Sequence, residues 1–373
     1  MRICLVAESY SPALGGVEFS LQKLVEGFLA QGHHVQVITS SWQRHAPAVE
    51  THGAFSLRRI YSPPVLKRFW FLLFSLPHVM RAARWADIVQ GSTFAGGPPA
   101  FLGAWLTGRK NALIVHEVFG RRWFQFERNF LRASFYVLTE WMIIHLPFHR
   151  YIAVSEYTKR TLRHNGIPEK KISVIYHGDS KLDNPALPDA VIRSQLGFSG
   201  EEYIFLLFGR TGVTKGFEYF IEAIPEISRK ILPARFVLIL SNYDDRIWRT
   251  MSKAISSFPP DVCRIVPQLS REMLAAYVSA ANCVVIPSLS EGFGFCALEA
   301  CNAKKTVVAT NAGALPEIVF GTYVLVEPGS ARALVDGCMK AWKGEVQVRE
   351  PRNFDWDRTV EQYCALYKEL LST

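Results

Sequence analysis

A strand, a glycine-rich turn, a helix and a second strand are predicted by "RICLVAESYSPALGGVEFSLQKLVEGFLAQGHHVQVITS", residues 2–40. The first and last parts are apolar runs that are typical of buried parallel strands. The segment between them places Phe19, Leu24 and Phe28 at helical spacing and ends near Gly32. This order forms a βαβ unit, the building block of a parallel α/β sheet.

The same alternation of strand and helix continues along the chain and is interrupted once. The segment "DSKLDNPALPDA", residues 179–190, is polar and contains two prolines, which is typical of a linker or surface loop. The alternation restarts at "YIFLLFGR", residues 203–210, and its predicted last strand is "YVLVEP", residues 323–328. We therefore expect two successive doubly wound α/β domains.

The expected domains span residues 1–180 and 181–354, with a helix at about 355–373 that packs back on the first domain. A chain of 373 residues is too long for one typical core, and a hydrophobic fraction of 49% is enough for two. Ligands of doubly wound sheets bind at the carboxyl ends of the strands. Two such sheets that face each other would hold a ligand in the cleft between them.

Charge and cysteine content narrow the class of protein. The net charge is +9, but residues 1–180 carry 21 Lys and Arg against 11 Asp and Glu, whereas the remaining residues carry 21 against 22. A basic half is suited to anionic partners. The seven cysteines form no CxxC pair, which favours reduced thiols in a cytoplasm and no zinc site or disulfide framework. The apolar run at the N-terminus is too short and too polar for a signal peptide. No apolar run in the sequence is long enough to span a membrane.

The most specific motif is "SLSEGFGFCALEACNAKKTVVATNAGALPEIV", residues 288–319. It contains two glutamates, Glu291 and Glu299, separated by seven residues, and the glycines Gly292 and Gly294. Together with the two-domain α/β pattern, the motif resembles the donor-site signature of the retaining glycosyltransferases of family 4 (glycosyl transferases group 1). The resemblance covers nearly the whole chain and is strongest over residues 203–319. It implies the GT-B fold, two Rossmann-like domains facing across a cleft.

The resemblance also implies roles for the glutamates. Glu299 would accept hydrogen bonds from the ribose hydroxyls of a nucleotide, and Glu291 would position the donor sugar. The loop Gly292-Phe293-Gly294 would bring backbone N–H groups close to phosphate or sugar oxygens. The alternatives are a solvent-facing helix glutamate for Glu299 and an acid at a helix start for Glu291.

The loop "LLFGRTGVTKGF", residues 206–217, supplies Arg210 and Lys215. By resemblance, these two cations grip the diphosphate, whose negative charge grows as it leaves. The alternative is a pair of ordinary surface cations. Gly15 and Gly16 would form a first-domain loop near the donor diphosphate and the acceptor, or else a tight strand–helix turn. Their spacing is not that of the G-x-G-x-x-G dinucleotide fingerprint, which argues against an NAD enzyme.

His116, after the strand in "LIVHEVFG", would orient the sugar and the acceptor, or else only cap a strand end. The next residue is Glu117 where the family usually has Asp, so no role is assigned to it. The segment His177-Gly178-Asp179 is expected at a hinge or at the wall of the donor site.

The activity that the resemblance implies is transfer of a hexosyl group from UDP- or GDP-sugar to a hydroxyl of a glycan or a lipid-linked acceptor. Retention would follow a front-side route, with the leaving phosphate taking the acceptor's proton. We expect no cofactor and no metal, since no DxD motif ends a strand and "YDDR", residues 243–246, lies in a polar loop. The alternatives are a nucleotide-sugar epimerase and a non-catalytic nucleotide-sugar-binding protein of the same fold.

Two segments of the basic half, residues 65–85 and 120–150, combine apolar runs rich in aromatic residues with flanking cations. This pattern is typical of a membrane interface. The alternative for each is a core helix with solvated ends. We expect peripheral contact with anionic lipid at the cytoplasmic face and a role in cell-surface polysaccharide or glycolipid synthesis. Nucleic acid is not an expected partner, because the aromatic residues are not interleaved with cations on a strand.

Overall fold

The computed structural model describes residues 1–12, 15–41, 47–63, 67–182, 185–198, 200–241 and 245–373, and the side chains of 245–247 and 250 are not described. The chain folds into two compact units. The first contains Met1–Gly178 and Phe354–Thr373, and the second contains Asp179–Asn353. The chain therefore passes from the first unit to the second between Gly178 and Asp179, and returns between Asn353 and Phe354.

The first unit is an eight-stranded sheet with the order β3-β4-β2-β1-β5-β6-β7-β8, parallel except for the edge strand β3. Its strands are Arg2–Ala7 (β1), His34–Ser41 (β2), Val49–His52 (β3), Phe55–Tyr61 (β4), Ile88–Ser92 (β5), Lys110–Val115 (β6), Arg150–Ala153 (β7) and Ile172–Val174 (β8). Its α-helices are Gly16–Ala30 (α1), Lys67–Trp85 (α2), Gly97–Leu106 (α3), Trp123–Phe126 (α4), Phe130–Ile144 (α5), Glu156–His164 (α6) and the C-terminal Trp356–Ser372 (α14).

The C-terminal helix α14 packs on α1. Phe28 of α1 is fully buried, and its ring centroid lies 6.2 Å from that of Tyr363 and 5.8 Å from that of Tyr367. Gly27 makes room for this contact, because a Cβ there would lie 2.3 Å from Cγ2 of Val360. Two buried aromatic rings and a glycine notch fix the C-terminal helix to the first unit.

The second unit is a seven-stranded sheet with the order β11-β10-β9-β12-β13-β14-β15, in which only β15 is antiparallel to its neighbour. Its strands are Tyr203–Arg210 (β9), Ala234–Ser241 (β10), Cys263–Val266 (β11), Cys283–Ile286 (β12), Thr306–Thr310 (β13), Gly321–Val326 (β14) and Gln347–Arg349 (β15). Its helices are Asp189–Gln195 (α7), Phe217–Lys230 (α8), Asp245–Ile255 (α9), Arg271–Ala280 (α10), Phe295–Asn302 (α11), Leu315–Ile318 (α12) and Ala331–Lys343 (α13).

The predicted fold class, two doubly wound α/β domains, is confirmed. The prediction of β14 as the last strand is wrong, because β15 follows it at the sheet edge. All three residues of β15 are exposed, so the sequence carries no burial pattern for it. The predicted linker at 179–190 also contains the start of α7, in which only Ile192 is buried. Of "YDDR", Tyr243 and Asp244 lie outside the described residues.

In the part of the chain that the structure describes, no helix is long and apolar enough to cross a membrane.

Candidate functional site

Three loops of the second unit meet at the carboxyl ends of neighbouring strands. The loop after β12 contacts the segment after β9, because the N–H of Leu289 donates to the carbonyl of Thr214 at 2.7 Å. It also contacts the loop after β13, because the N–H of Ala314 donates to the carbonyl of Glu291 at 2.8 Å. Chain order reverses between β9 and β12. The meeting point is therefore the topological switch point at which doubly wound sheets bind ligands.

Two glycines permit this close approach of backbones. Gly216 and Gly313 both have a φ of 60°, in the left-handed region that favours glycine. A Cβ on Gly216 would lie 2.2 Å from the carbonyl oxygen of Pro287, and one on Gly313 would lie 2.1 Å from that of Glu291. The position of the Glu291 loop thus depends on the absence of side chains at these two residues.

We expect Gly313→Ala to lower the free energy of unfolding by at least about 3 kcal/mol, since the new methyl group meets a fixed carbonyl in addition to the strain at positive φ. Gly344→Ala is the matched control: its φ is 77° but a Cβ there meets nothing within 4 Å, so a loss of about 1 kcal/mol is expected. Urea unfolding of both variants measures the difference. Equal losses would show that the loop yields to the methyl group.

Glu291 is held by two donors within the second unit. Nζ of Lys215 lies 2.7 Å from its Oε1, and Oγ of Ser288 donates to the same atom at 2.8 Å. The Glu291 side chain is only 13% exposed, so the lysine charge compensates a carboxylate that is largely withdrawn from water. Two of the predicted site residues, Lys215 and Glu291, are therefore in direct contact.

Glu299 is buried in α11 and is also held by two donors. Oγ of Ser180 donates to its Oε1 at 2.6 Å, and Nη1 of Arg271 lies 3.2 Å from the same atom. Arg271 reaches back with Nη2 to Oγ of Ser180 at 3.1 Å and to the carbonyl of Lys181 at 2.9 Å. Burial raises the pKa of Glu299, and the hydrogen bond from Ser180 and the charge of Arg271 oppose this rise.

Four charged side chains lie close enough to the thiol of Cys296 to influence its pKa. Burial raises its pKa to about 12; Glu299 and Glu291 add to the rise, whereas Lys215 and Arg210 oppose it. Arg210 is the last residue of β9, and Cys296 lies in the first turn of α11. The structure thus brings together the four predicted charged residues, two cations and two carboxylates, at one end of the second sheet.

The predicted loop Gly292-Phe293-Gly294 lies between the two glutamates. Phe293 is buried and its ring centroid is 4.9 Å from that of Phe295. Gly294 has a φ of 105° and precedes the first residue of α11. This backbone conformation favours glycine, and it directs the chain from the loop to the first turn of α11. The N-terminal end of a helix favours anions.

The predicted residue His116 belongs to the first unit. It follows β6, and its Nε2 lies 3.1 Å from Oγ of Ser92. Its ring centroid is 5.7 Å from that of His177, whose ring in turn lies 5.9 Å from that of Trp356. Burial lowers the pKa of His116 to about 4 and also lowers that of His177. Both imidazoles are therefore neutral at pH 7 and can act as hydrogen-bonding groups rather than as cations.

Gly15 and Gly16 also belong to the first unit. Gly15 precedes α1 and Gly16 is its first residue, while the preceding Ala13 and Leu14 lie outside the described residues. Gly15 therefore ends the connection between β1 and α1, and Gly16 begins the helix. Their role beside a diphosphate stays a prediction.

Three residues of this site are not identified by the sequence patterns: Ser180, Arg271 and Ser288. Ser180 lies in the predicted linker, and Ser288 begins the glutamate motif without a role of its own. Ser270, the neighbour of Arg271, has the position of a helix cap, and its Oγ does accept from the N–H of Met273. Arg271 has no signal of its own, because an arginine in the first turn of a surface helix usually faces solvent.

Comparisons with known proteins cover both units. Residues 14–178 match the model of Glycosyltransferase Family 4, and residues 189–355 match that of Glycosyl transferases group 1. An uncharacterized glycosyltransferase of Methanocaldococcus jannaschii is 27% identical over 225 residues, which are 54% of this chain and 55% of the relative. One subunit of the phosphatidylinositol N-acetylglucosaminyltransferase of Homo sapiens is 21% identical over 348 residues, 91% of this chain and 68% of the relative.

Among solved structures, HepE of Anabaena in complex with UDP-glucose superimposes with a TM-score of 0.75 and 16% identity, over 99% of this chain and 100% of the other. This likeness confirms the predicted GT-B fold. The chain spans only about half the length of the first curated relatives, from 54% to 60%.

Proposed function

Because the chain belongs to the family 4 glycosyltransferases, we propose that it transfers a sugar, with retention, from a nucleoside-diphosphate sugar to a hydroxyl of a glycan or a lipid-linked acceptor. The observation that carries this proposal is the Lys215–Glu291 ion pair at the carboxyl ends of the second sheet, with Arg210 at the end of β9 and Glu299 in the helix that follows the Glu291 loop. Two cations beside two carboxylates match a ligand that has a diphosphate in its middle and hydroxyl groups at both ends. The likeness to a protein that binds UDP-glucose supports the same class of donor.

The two cations would act on the leaving group. As the bond between the sugar and the diphosphate breaks, negative charge grows on the phosphate oxygens, and fixed cations stabilise that charge. Arg210 offers two parallel N–H donors and Lys215 a compact point charge. Glu291, at 2.7 Å from Nζ of Lys215, would orient this cation towards the diphosphate.

The two glutamates would hold the ligand rather than attack it. Oε1 of Glu291 accepts from Lys215 and Ser288, and Oε1 of Glu299 interacts with Ser180 and Arg271. Such donors fix each carboxylate and reduce its strength as a nucleophile, which suits an acceptor of sugar or ribose hydroxyls. The leaving phosphate would then take the proton of the acceptor hydroxyl on the same face of the sugar, without a metal ion.

The acceptor side belongs to the first unit in this proposal. Neutral His116 could accept or donate one hydrogen bond to the sugar or the acceptor. The positive charge of residues 1–180 suits an anionic membrane that carries the acceptor. The likeness to one chain of a phosphatidylinositol N-acetylglucosaminyltransferase supports a lipid acceptor. We place the protein at the cytoplasmic face of the membrane, in the synthesis of a cell-surface polysaccharide or glycolipid.

A thermal-shift screen with UDP, GDP, ADP and their glucose conjugates tests the donor. A nucleotide at 100 times its dissociation constant stabilises the folded state by about 2.7 kcal/mol, so one base is expected to raise the melting temperature clearly above the others. Chromatography of the matching donor without acceptor should return unchanged sugar. The proposal is contradicted if none of the nucleotides or conjugates raises the melting temperature, or if the sugar is isomerised.

A further inference from the structure

One helix of the first unit carries an apolar face that points to solvent. Six large apolar residues of α5 are each more than half exposed. We call them the α5 face: Phe130, Leu131, Phe135, Leu138, Trp141 and Met142. At about 100° per residue they fall within an arc of about 140°. No acidic residue lies on this arc, because the one acid of α5, Glu140, is buried on the other side.

The orientation of α5 is fixed by its opposite side. Ala133 and Ile144 are fully buried, and Ile144 belongs to the same core cluster as Leu113 and Phe148. The α5 face is thus held outward by the packing of the rest of the helix. An exposed continuous apolar face on a folded protein marks an interaction site. Phe124 of α4 extends the face, since its ring stacks on Phe130 with centroids 5.3 Å apart.

The charges around the α5 face are predominantly positive. Arg121, Arg128 and Arg132 are exposed near the N-terminal end of α5. Residues 65–150 contain 11 Lys and Arg but only 4 Asp and Glu. Apolar and aromatic side chains bordered by arginines match the interfacial zone of a bilayer with anionic headgroups. A second copy of this chain would instead bring the same arginines towards each other.

The α5 face is connected to the segment that follows β6, residues 116–122, which we call the loop of His116. The buried carboxylate of Glu140 accepts from the N–H of Phe119 at 3.1 Å and from the N–H of Gly120. The ring of Trp123 lies against Tyr136 of α5, with centroids 4.9 Å apart. Phe119, whose N–H Glu140 holds, is only three residues after His116. What docks on α5 therefore also positions this loop.

We propose that the α5 face is a docking surface for an anionic lipid bilayer, which places the loop of His116 at the membrane where a lipid-borne acceptor would lie. The second part of this statement rests on the proposed function. The docking itself rests on the exposure, the charge and the fixed rotation of α5.

Co-sedimentation of the full chain with vesicles of phosphatidylcholine containing phosphatidylglycerol tests the docking. We expect binding that weakens with salt and is lost with pure phosphatidylcholine. Combined Leu131→Ser, Phe135→Ser and Leu138→Ser should weaken it at least about tenfold, because binding scales with the apolar area inserted. These positions are exposed, so the melting temperature should hold. The matched control is Leu232→Ser with Val348→Ser. These apolar residues of the second unit are at least as exposed, and this variant should bind as the wild type does.

Absence of wild-type binding, or equal binding by the triple variant, would overturn the proposal. A dimer that the triple variant dissociates, with no vesicle binding, would replace the bilayer by a second copy of the chain. The nucleotide screen on the same proteins separates the two proposals. Vesicle binding without any nucleotide shift would leave the docking surface standing and remove the proposed function.

Discussion

Lys215→Ala is expected to lower the kcat of sugar transfer by about 10²- to 10³-fold, the usual effect of removing one group that stabilises charge in the transition state. The lysine Nζ is 2.7 Å from Glu291 and belongs to the charge cluster around Cys296. Its removal takes away a cation near the proposed position of the leaving diphosphate. Of the two donors to Glu291, only Ser288 would then remain. Steady-state kinetics with saturating donor and acceptor measure the loss.

The matched control for this variant is Lys230→Ala. Lys230 is paired with Glu226 on the exposed surface of α8, and such pairs contribute little. Its kcat should stay within about twofold of the wild type. Lys215→Ala combined with Glu291→Gln would then show whether the two side chains act as one unit, since coupled residues give losses that do not add. A wild-type rate for a folded Lys215→Ala protein would place the diphosphate elsewhere.

Glu299→Ala is expected to weaken nucleotide binding by about 10- to 100-fold, the range for hydrogen bonds to a charged group. The reason is the loss of a buried carboxylate that Ser180 and Arg271 fix, and that accepts the ribose hydroxyls in the proposed function. Isothermal titration with the nucleotide chosen by the screen measures the effect. Glu226→Ala, which removes an exposed carboxylate of α8, is the control and should bind normally.

A nucleotide that lacks both ribose hydroxyls tells ligand contact from structural damage. If Glu299 binds the ribose, this nucleotide should bind the wild type and Glu299→Ala with nearly equal affinity. Arg271→Ala should weaken the natural nucleotide by a smaller factor, because it frees Glu299 to change rotamer without removing its oxygens. An equal loss of both nucleotides in Glu299→Ala would assign this residue to the fold alone.

The pH dependence of stability should also identify Glu299. Burial raises its pKa in the folded state above the unfolded value of about 4.5. The folded state then binds more protons than the unfolded state between these two values, so the contribution of Glu299 to stability falls as pH rises through them. Glu299→Gln should remove this part of the pH dependence while keeping an oxygen for Ser180 and Arg271. The melting temperature of the wild type minus that of the variant should therefore fall as the pH rises from 4 to 7.

The sequence by itself predicted the doubly wound α/β class of both units, and its motifs singled out four charged residues of the second unit. Buried parallel strands are continuous apolar runs, and glycine loops with paired glutamates are local patterns, so both can be read from a linear sequence. The exposed β15 and the short α7 carry no such pattern and were missed for that reason.

Only the tertiary structure decided which groups hold the glutamates and which way the apolar residues of α5 face. Ser180 and Arg271 are 91 positions apart, and they meet on Glu299 because packing of the second unit brings them together. For α5, the sequence allowed both a core helix and an interfacial one. Burial of Glu140 and Ile144 against the first unit turned the other side of the helix to solvent. Contacts between residues distant in sequence come from packing, which local patterns do not encode.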